Sequence, residues 1–553
     1  MRKHRTVYFL LAICFVSFRG AVREPVDLLI RNAKIYTIDN NFSIVDAMVI
    51  RQGRIVATGP EKKLLYEYKP AQVTDAGNRY IYPGFIDAHA HFFGYSSSLQ
   101  TVNLTGTSSW EECLDRVSSF LKEHKAEPAK WIVGHGWDQN DWNNKEFPDN
   151  TELNKRYPDN PVMLQRVDGH AVIANAKALE LAGITAGQKL EGGDIQVKDG
   201  KLTGILVDNA TDLVSRIIPS PSRADTKAGL LSAQKNCFAK GLTTVDDCGL
   251  DVSAVEFLQS LQQSSELKMR LYVMLSDNPG NLKYIETHGP IKTERMNVRS
   301  VKVYADGALG SRGACLLEPY SDKPDQAGFL LSRKEHFDSV AAFLFKSKFQ
   351  MCTHAIGDSG NRVILNTYAK YLKPGNDLRW RIEHAQVVDK NDFDFFGKYS
   401  IIPSVQPTHA TSDMYWAEQR LGKERVKEAY AFKQLLAENK WIALGTDFPV
   451  EDIDPLKTFF AAVIRKDSKG FPATGFQIEN ALTRQEAIRG MTIWAAKSNF
   501  EENEKGSLEP GKLADFVILD TDLMHAPESE ILKTTVLKTY INGEIVHKQT
   551  SAK

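Results

Sequence analysis

Apolar and polar residues alternate in two different ways along this chain. Residues 25–80 and 500–550 consist of short runs of alternating apolar and polar positions, separated by turn dipeptides: Gln52-Gly53 and Asn542-Gly543. A period of two predicts β-strands, and Asn-Gly between two such runs is a strong hairpin signal. Because each terminal segment is too small to bury a core alone, we predict that the two pair into one composite β-sandwich.

The middle of the chain alternates instead between short β-branched runs and longer stretches of helical period. The strand-like runs cover residues 81–89, 241–249, 270–276, 298–306, 349–355, 379–385, 400–407 and 441–447. The helical stretches between them include residues 224–239, 253–264, 335–346, 358–371 and 424–438. Successive β/α units of this number predict an α/β fold, a closed (β/α)8 TIM barrel formed by residues 81–92 and 221–499.

Residues 93–220 interrupt this alternation directly after the first predicted barrel strand. The segment is far too long for one β/α connection, so we predict an inserted subdomain. Because it leaves the barrel at the end of a strand, it must rise from the face where such barrels carry their chemistry. We therefore expect it to form a lid or a wall of the substrate pocket.

Length and charge narrow the class of protein. A chain of 553 residues is too long for one ordinary core, and 42% apolar with 25% charged residues is typical of a soluble globular protein. Lys plus Arg equals Asp plus Glu at 69 each, so there is no basic excess to bind a nucleic-acid backbone. We therefore expect no nucleic-acid partner.

The N-terminus has a different texture, and we assign residues 1–24 to a signal peptide or short signal anchor. Basic residues at positions 2–5 precede an apolar run at 7–18. Twelve helical residues span roughly 18 Å, against about 30 Å for the hydrocarbon core of a bilayer. The pattern predicts entry into the endoplasmic reticulum and secretory pathway, with the protein lumenal or attached to the membrane through residues 7–18. A perinuclear position and cleavage of the segment both stay open.

Candidate chemistry lies at or just beyond the ends of five predicted barrel strands, the first, fourth, fifth, sixth and eighth. The residues are His89, His91, Lys302, His354, His384 and Asp447. Singly each is weak, since a lone histidine is more often a surface or hydrogen-bonded imidazole than a ligand. Together they lie in order at the end of the barrel that carries catalysis. Imidazoles, a carboxylate and a lysine that can become a carbamate are ligands for divalent metals.

The sequence around these residues resembles the amidohydrolase superfamily, and within it amidohydrolase family 3. The motifs are PGFIDAHAHF, KVYADGALGSR, THAIGD, RIEHAQ and KGSLEPGKLADFVILD, and the resemblance covers residues 25–550. The chain is most similar to plant members connected with far-red light signalling. The resemblance implies a metal-dependent hydrolase that cleaves a non-peptide C–N bond in an amide, an N-formyl compound or a cyclic amide. It also implies a small-molecule substrate, a homodimer and a role in light signalling.

By the same resemblance, the candidate residues would bind two metals: His89, His91 and Asp447 the first, His354 and His384 the second, with carboxylated Lys302 bridging them. A metal-bound hydroxide would attack the substrate carbonyl, with Asp447 accepting its proton and passing it to the leaving nitrogen. Two zinc ions are the first choice, with iron or manganese as alternatives. If Lys302 stays an ammonium, the site would bind one metal instead.

Further residues are candidates for substrate binding. Trp137 and Asp138 lie in the motif GHGWDQNDW of the insertion, and His170 lies in DGHA. We expect His170 to donate to the substrate carbonyl as a catalytic residue, and Arg312, after the fourth strand, to bind a substrate carboxylate. Acidic residues that adjoin ligand strands are expected to orient ligands or cap helices: Asp306, Asp358 and Glu383.

Two other functions remain open. The same attack by hydroxide would hydrolyse an ester or a carbamate. The chain could also be a signalling or scaffold protein that kept the fold and lost catalysis, since fold alone does not determine function. The retention of metal-competent residues at all candidate positions argues against that second alternative.

Overall fold

The computed structural model describes residues 23–123 and 130–550. The apolar run at 7–18, on which the signal prediction depends, lies outside these residues. Within them, no helix combines the length and apolar character needed to cross a membrane.

The central part of the chain forms the barrel that the alternation predicts. Its strands, numbered here as barrel strands 1 to 8, are Phe85–Ala90, Leu242–Leu250, Arg270–Ser276, Met296–Tyr304, Gln350–Ala355, Arg381–His384, Ile402–Val405 and Ala443–Leu444. Each is parallel to its neighbours and they follow one another in sequence order. The prediction of an α/β fold with a TIM barrel is confirmed.

Backbone hydrogen bonds just beyond barrel strands 1 and 8 bring the two ends of this sheet together. The Asp447 amide donates to the His89 carbonyl at 2.7 Å, and the His91 amide donates to the Phe448 carbonyl at 2.8 Å. Gly445 permits the approach, because a Cβ at this position would lie 2.5 Å from the backbone nitrogen of His89. The closure sets residues from the first and last strands side by side.

Helices follow the barrel strands, as the helical periodicity predicts. Those of the barrel are Arg223–Ala239, Val252–Gln263, Pro279–His288, Lys334–Ser347, Asp358–Tyr371, Asp394–Lys398, Pro407–Asp413, Ala417–Arg425, Phe432–Asn439, Pro455–Ile464, Arg484–Gly490 and Ile493–Ser498. The single helix predicted over 424–438 is wrong. A helix ends at Arg425, a 3-10 turn follows, and Tyr430 takes a left-handed backbone (φ 54°) that breaks the helical path before the next helix begins.

The two ends of the chain pair into one sheet. Its strands are Glu24–Tyr36, Ile44–Val45, Ala47–Arg51, Arg54–Gly59, Tyr68–Pro83, Phe516–Leu519, Val536–Ile541 and Glu544–Lys548, with a short helix at Glu61–Glu67. The strand Tyr68–Pro83 joins the halves, being parallel to Glu24–Tyr36 and antiparallel to Phe516–Leu519. Both predicted hairpin dipeptides form turns with positive φ at each residue. A buried ion pair between Arg270 and Asp515 (2.6 Å) ties this sheet to barrel strand 3.

The insertion has its own six-stranded sheet. In spatial order the strands are Gly193–Lys198, Lys201–Asp208, Ala171–Ala174, Val162–Arg166, Ile132–Trp137 and Val102–Asn103. Helices accompany it at Trp110–Glu123, Thr151–Arg156, Ala176–Ala182 and Asp212–Ser215, whereas the helix Phe92–Ser98 packs on the barrel helix Arg223–Ala239. Apolar clusters cover both sides of the sheet, so the insertion has a core separate from that of the barrel. It contacts the barrel on the face where the strands end, for example where Arg420 donates to Asn140 at 3.2 Å.

Candidate active site

The predicted ligands converge at the carboxyl ends of the barrel strands. Nitrogen atoms of His89 and His384 and a carboxylate oxygen of Asp447 all lie within 4.8 Å of one another. The Nε2 atoms of His89 and His91 lie 3.5 Å and 3.2 Å from Asp447 Oδ1. The first and last strands therefore supply one compact group of donors, as the closure of the barrel requires.

Barrel strands 5 and 6 supply the other two predicted imidazoles. The rings of His354 and His384 are 4.6 Å apart between centroids, and the His384 ring is 4.8 Å from that of His89. The two strands pair directly, with His354 opposite Glu383 and Ala355 opposite His384. The register of neighbouring parallel strands thus brings histidines that are distant in sequence into one cluster.

Lys302 reaches the centre of this cluster from barrel strand 4. Its side chain is buried, and Nζ lies 3.1 Å from His89 Nε2. Nζ also lies 4.8 Å from the centroid of the Tyr304 ring, two residues along the strand. Lys302 therefore lies directly beside His89 and close enough to His354 to contribute to the lowering of its pKa.

The electrostatics favour neutral imidazoles around an ionised carboxylate. Burial, reinforced by Lys302, lowers the pKa of His89 to about 4. Burial and neighbouring histidines hold the pKa of His384 well below its usual range, and the same holds for His354. For Asp447, burial alone would raise the pKa, but the surrounding histidines outweigh it and hold that pKa well below the usual value. Neutral imidazole and ionised carboxylate are the forms that bind a metal.

Buried polar atoms without partners mark where a cation fits. Among the described residues, His384 Nδ1, His409 Nε2 and Asp447 Oδ1 accept or donate no hydrogen bond. Leaving buried polar atoms unpaired costs roughly 1–3 kcal/mol each. A divalent cation held by Asp447 and the adjacent imidazoles would satisfy such atoms, and the donor set of nitrogen and carboxylate oxygen suits zinc and similar ions.

Glu383 orients one of these ligands from behind. Its Oε2 accepts a hydrogen bond from His89 Nδ1 at 2.6 Å, and both side chains are completely buried. Burial opposes ionisation of Glu383, yet His89 and then Arg381 lower its pKa overall. The pair matches the carboxylate–histidine arrangement that fixes the tautomer of metal ligands.

The other two acids predicted to orient neighbours have structural roles. Asp306 accepts backbone hydrogen bonds from Cys315, Ile356 and Gly357, and so fastens the loop after barrel strand 4 to that after strand 5. Asp358 accepts one from Leu317 at 2.8 Å, close to the start of its own helix. These contacts hold the loops that surround the cluster.

Three residues at or next to the cluster have strained backbone conformations. His384, Ala385 and Asp447 have φ values of 71°, 42° and 65°, in the left-handed region. Such conformations cost of order 1–3 kcal/mol for residues other than glycine and persist where surrounding structure enforces them. Here they turn the ends of barrel strand 6 and of the segment after strand 8 toward the common centre.

His170 is brought to this cluster by the insertion. Its ring lies 5.0 Å from that of His354 and 6.4 Å from that of Tyr304, and its Nδ1 lies 2.6 Å from Asp208 Oδ1. Burial would lower the pKa of His170, but the Asp208 carboxylate outweighs it and raises that pKa. His170 therefore lies beside His354, one of the predicted metal ligands, and its role toward a substrate stays a prediction.

Trp137 and Asp138 form their hydrogen bonds and ion pair within the insertion. Trp137 is completely buried in the core of the insertion, where its indole N–H donates to the Leu164 carbonyl at 2.8 Å. Asp138 forms an ion pair with the buried Arg166 and accepts from the Asn140 amide at 2.9 Å. The contacts of Trp137 are those of subdomain packing, and they do not support the substrate-binding role predicted for it.

Arg312, the predicted carboxylate clamp, is already paired. Its guanidinium lies 3.0 Å from Asp322, to which Arg420 also donates. Its backbone is left-handed, with φ 64°. The observed contact is thus a salt bridge within the loop after barrel strand 4 and not an unpaired cation facing the metal ligands.

Two residues near the ligands, Tyr304 and Asp208, were not predicted from the sequence, and a third, His409, was predicted to point to the catalytic end but was given no role. Tyr304 was detectable in principle, because residues two apart on a strand share a face with Lys302. His409 follows barrel strand 7; it stacks on His384 at 5.7 Å, and its Nε2 lies 3.7 Å from Asp447 Oδ2. Asp208 had no sequence signal, since only the fold of the insertion brings it to His170.

Comparison with known proteins agrees with this arrangement. The model of the amidohydrolase family matches residues 72–547, which is most of the chain. The chain belongs to the amidohydrolase family. Among its relatives, LONG AFTER FAR-RED 3 of Arabidopsis thaliana is 33% identical over 540 residues, covering 94% of this chain and 91% of that protein. N-substituted formamide deformylase of Arthrobacter pascens is 25% identical to this amidohydrolase over 548 residues, and the alignment covers 95% of this chain and 99% of that protein.

A solved structure supports the same conclusion. The crystal structure of an uncharacterized metal-dependent hydrolase from Pyrococcus horikoshii aligns with a TM-score of 0.73 at 28% identity, over 91% of this chain and 99% of that one. With the convergent ligand set, this identifies the amidohydrolase as a metal-dependent hydrolase that uses a divalent metal.

Proposed function

We propose that this protein hydrolyses a non-peptide C–N bond in a small amide, an N-formyl compound or a cyclic amide. The observation that carries the proposal is the buried cluster of His89, His384 and Asp447, whose possible ligand atoms lie within 4.8 Å of one another, with His170 of the insertion beside His354. Its similarity to an N-substituted formamide deformylase supports N-formyl compounds as a substrate class.

We further propose two zinc ions, with iron or manganese as alternatives. His89, His91 and Asp447 would hold the first ion, His354 and His384 the second, and carboxylated Lys302 would bridge them. Bound there, the metals would lower the pKa of a water ligand and polarise the substrate carbonyl. Lys302 Nζ lies 3.1 Å from His89 Nε2, and the proposal requires its carboxylation, because an ammonium at that point would repel a cation.

The protein's own side chains would then handle the protons. Asp447 accepts the proton of the attacking water and delivers it to the leaving nitrogen, which departs as an amine while the carbonyl carbon becomes a carboxylate. His170 donates a hydrogen bond to the carbonyl oxygen as negative charge develops on it. Asp138 and Arg312 are the remaining candidates for contacts with distal parts of the substrate.

A screen of purified, zinc-reconstituted protein tests the reaction class. The panel contains N-alkyl and N-aryl formamides, N-acetylated amines and cyclic imides, with p-nitrophenyl esters and carbamates for comparison. We expect release of amine from at least one C–N substrate and loss of that activity in Asp447→Asn. Turnover of esters or carbamates alone would instead favour the alternative hydrolase.

A non-catalytic signalling role is the second candidate, and the similarity to LONG AFTER FAR-RED 3 is what favours it. It predicts a folded protein without turnover or bound metal. An enzyme can also act within a signalling pathway, so a role in light signalling is compatible with hydrolysis. The test is whether variants that remove a predicted zinc ligand, such as His384→Ala, lose the signalling phenotype in cells.

We propose, from residues 2–18 alone, entry into the endoplasmic reticulum with either release into the lumen or attachment through residues 7–18. Deleting residues 1–24 should abolish membrane association or secretion of a tagged protein. A homodimer, which the family resemblance implies, is a separate proposal, and sedimentation of the purified protein tests it.

A further inference from the structure

We propose that Asp208 is the positioning residue for His170, so that the insertion supplies an oriented Asp–His pair to the active site. The inference rests on the proposed function, in which His170 acts on the substrate carbonyl. It assigns a role to a buried acid of the insertion. It also accounts for two motifs, DGHA and GALGSRG, that the metal ligands leave unexplained.

The pair is close and buried. Asp208 Oδ1 accepts from His170 Nδ1 at 2.6 Å, and the Asp208 side chain is completely shielded, whereas 14% of the His170 side chain is exposed. Among the described residues, Asp208 Oδ2 has no hydrogen-bond partner. Burying a carboxylate costs free energy unless it is hydrogen-bonded, and the His170 ring supplies that bond. Asp208 therefore strongly favours the ring orientation in which Nδ1 faces it.

The strand register of the insertion creates the contact. Ala171 pairs with Val207 across the antiparallel strands Ala171–Ala174 and Lys201–Asp208. The Asp208 amide also donates to the His170 carbonyl at 2.8 Å. Asp208 itself has a left-handed backbone, with φ 51°. The two residues are thus held together by backbone as well as by side chains, just where both strands reach the barrel.

The second nitrogen of His170 is left for the substrate. The two ring nitrogens lie on opposite sides of an imidazole, so with Nδ1 on Asp208, Nε2 is directed away from that carboxylate. No hydrogen bond from the described part of the chain engages Nε2. The His170 ring lies 5.0 Å from the ring of His354, a predicted metal ligand, so Nε2 is available to a substrate bound beside that ligand.

The barrel loop after Lys302 is shaped to receive Asp208. A Cβ at Gly307 would lie 2.5 Å from Asp208 Oδ2, and one at Gly313 would lie 2.3 Å from the same oxygen. Any side chain at either glycine would displace the carboxylate. The glycines of this loop therefore let the insertion seat its acid between His170 and the barrel.

This arrangement gives Asp208 a defined task. By accepting Nδ1–H, the carboxylate selects the orientation in which Nε2 meets the substrate oxygen, and it compensates positive charge on a ring that donates from Nε2. No bond is made or broken at Asp208, which acts through His170 alone.

A double-mutant cycle tests the assignment on the best substrate of the screen. We expect Asp208→Asn to lower kcat by about 10–100-fold with little change in KM, as for other partners of active-site histidines. In the background of His170→Ala, Asp208→Asn should cause no further loss, because its effect passes through the missing ring. An equal loss in both backgrounds, or no loss in the single variant, would overturn the proposal. Asp212→Asn, an exposed acid on the same segment, is the matched control.

Readouts without turnover separate this proposal from the reaction class. Nitrogen NMR of histidine-labelled protein, with His170 assigned by its loss in His170→Ala, should show a protonated Nδ1 in the wild type. This measurement requires no folded Asp208 variant, and an unprotonated Nδ1 contradicts the proposal. Zinc content should be unchanged in Asp208→Asn; zinc loss parallel to activity would mean that Asp208 acts on the metal site. If the wild type hydrolyses nothing in the panel, the proposed function fails, and the NMR and zinc results still decide the role of Asp208 toward His170.

Discussion

His89 donates from Nδ1 to Glu383 at 2.6 Å, with both side chains completely buried. The opposite ring nitrogen, Nε2, is thereby directed at the cluster, 3.5 Å from Asp447. The contact joins barrel strand 1 to barrel strand 6 across the interior of the barrel. It prepares the ligand before any cation binds.

Glu383→Gln should therefore weaken zinc binding by about 10–100-fold, since the amide is a poorer acceptor and no longer favours the Nδ1–H tautomer. Competition with a chromophoric chelator measures the affinity. Glu424→Gln, a change at an exposed acid paired with Lys427, serves as control and should leave the affinity unaltered. Equal affinity in wild type and Glu383→Gln would show that Glu383 does not orient the ligand.

His384→Ala should release metal without unfolding the barrel. A ring nitrogen of His384 lies within 4.8 Å of possible ligand atoms of His89 and Asp447, and Nδ1 has no hydrogen-bond partner in the described structure. Elemental analysis and circular dichroism are the measurements, with His288→Ala at the exposed end of a helix as control. Chelation of the wild type should abolish turnover and added zinc should restore it; turnover that survives chelation contradicts a metal-dependent mechanism.

Lys302 determines the metal count. We expect about two zinc ions per chain in wild-type protein purified with bicarbonate and about one in Lys302→Met, which cannot form a carbamate bridge. Carbon-13 bicarbonate should give a carbamate resonance that disappears in the variant. One zinc ion in both proteins, with no carbamate signal, would show that Lys302 remains an ammonium.

Acidification should distinguish His384 from a titrating surface histidine. Its folded pKa lies well below the unfolded value of about 6.5, chiefly because of burial. Below about pH 6.5 the unfolded chain binds the proton first, so chelated wild-type protein loses the contribution of His384. For each pH unit of acidification below about 6.5, the unfolding free energy of His384→Gln should thus rise relative to that of the wild type by up to about 1.4 kcal/mol. Urea unfolding at pH 7 and pH 5.5 measures this difference.

The same comparison at His170 should have the opposite sign. Burial lowers its pKa, but Asp208 raises it overall, so the folded protein holds the proton more tightly than the unfolded chain. That stabilisation is complete below about pH 6.5 and is lost as the pH rises through the folded pKa. As the pH rises, the unfolding free energy of His170→Gln should therefore increase relative to that of the wild type. Identical slopes for the two variants would contradict the opposed environments.

Trp137 is expected to matter for stability and not for substrate contact. Trp137→Ala should destabilise the insertion by about 3–5 kcal/mol, because a completely buried indole leaves a cavity. Trp137→Phe, which keeps most of the volume, should retain the KM of the wild type. A large rise in KM with unchanged stability would instead restore a substrate-facing role.

The pattern of strands and helices in the sequence was sufficient to predict the barrel and the end of it at which the candidate ligands lie. Strand 3 was predicted at its observed bounds, Arg270–Ser276, because it is one continuous apolar run, and the helix Asp358–Tyr371 likewise because its helical period is uninterrupted. In a parallel barrel every strand ends on the same face, so residues such as His89 and Asp447 could be placed together from chain order alone. The predicted helix at 424–438 was wrong because the left-handed turn at Tyr430 has no signal in hydrophobic periodicity.

The sequence by itself thus determined the fold, the ligand types and the end of the barrel at which they meet, since these depend on local period and on chain order. Only the tertiary structure decided what surrounds the ligands. Glu383 reaches His89 across the barrel, Asp208 reaches His170 through the register of the insertion, and Trp137 turns into a core. Such contacts depend on how separate elements pack, and packing is a property of the folded chain that local pattern does not encode.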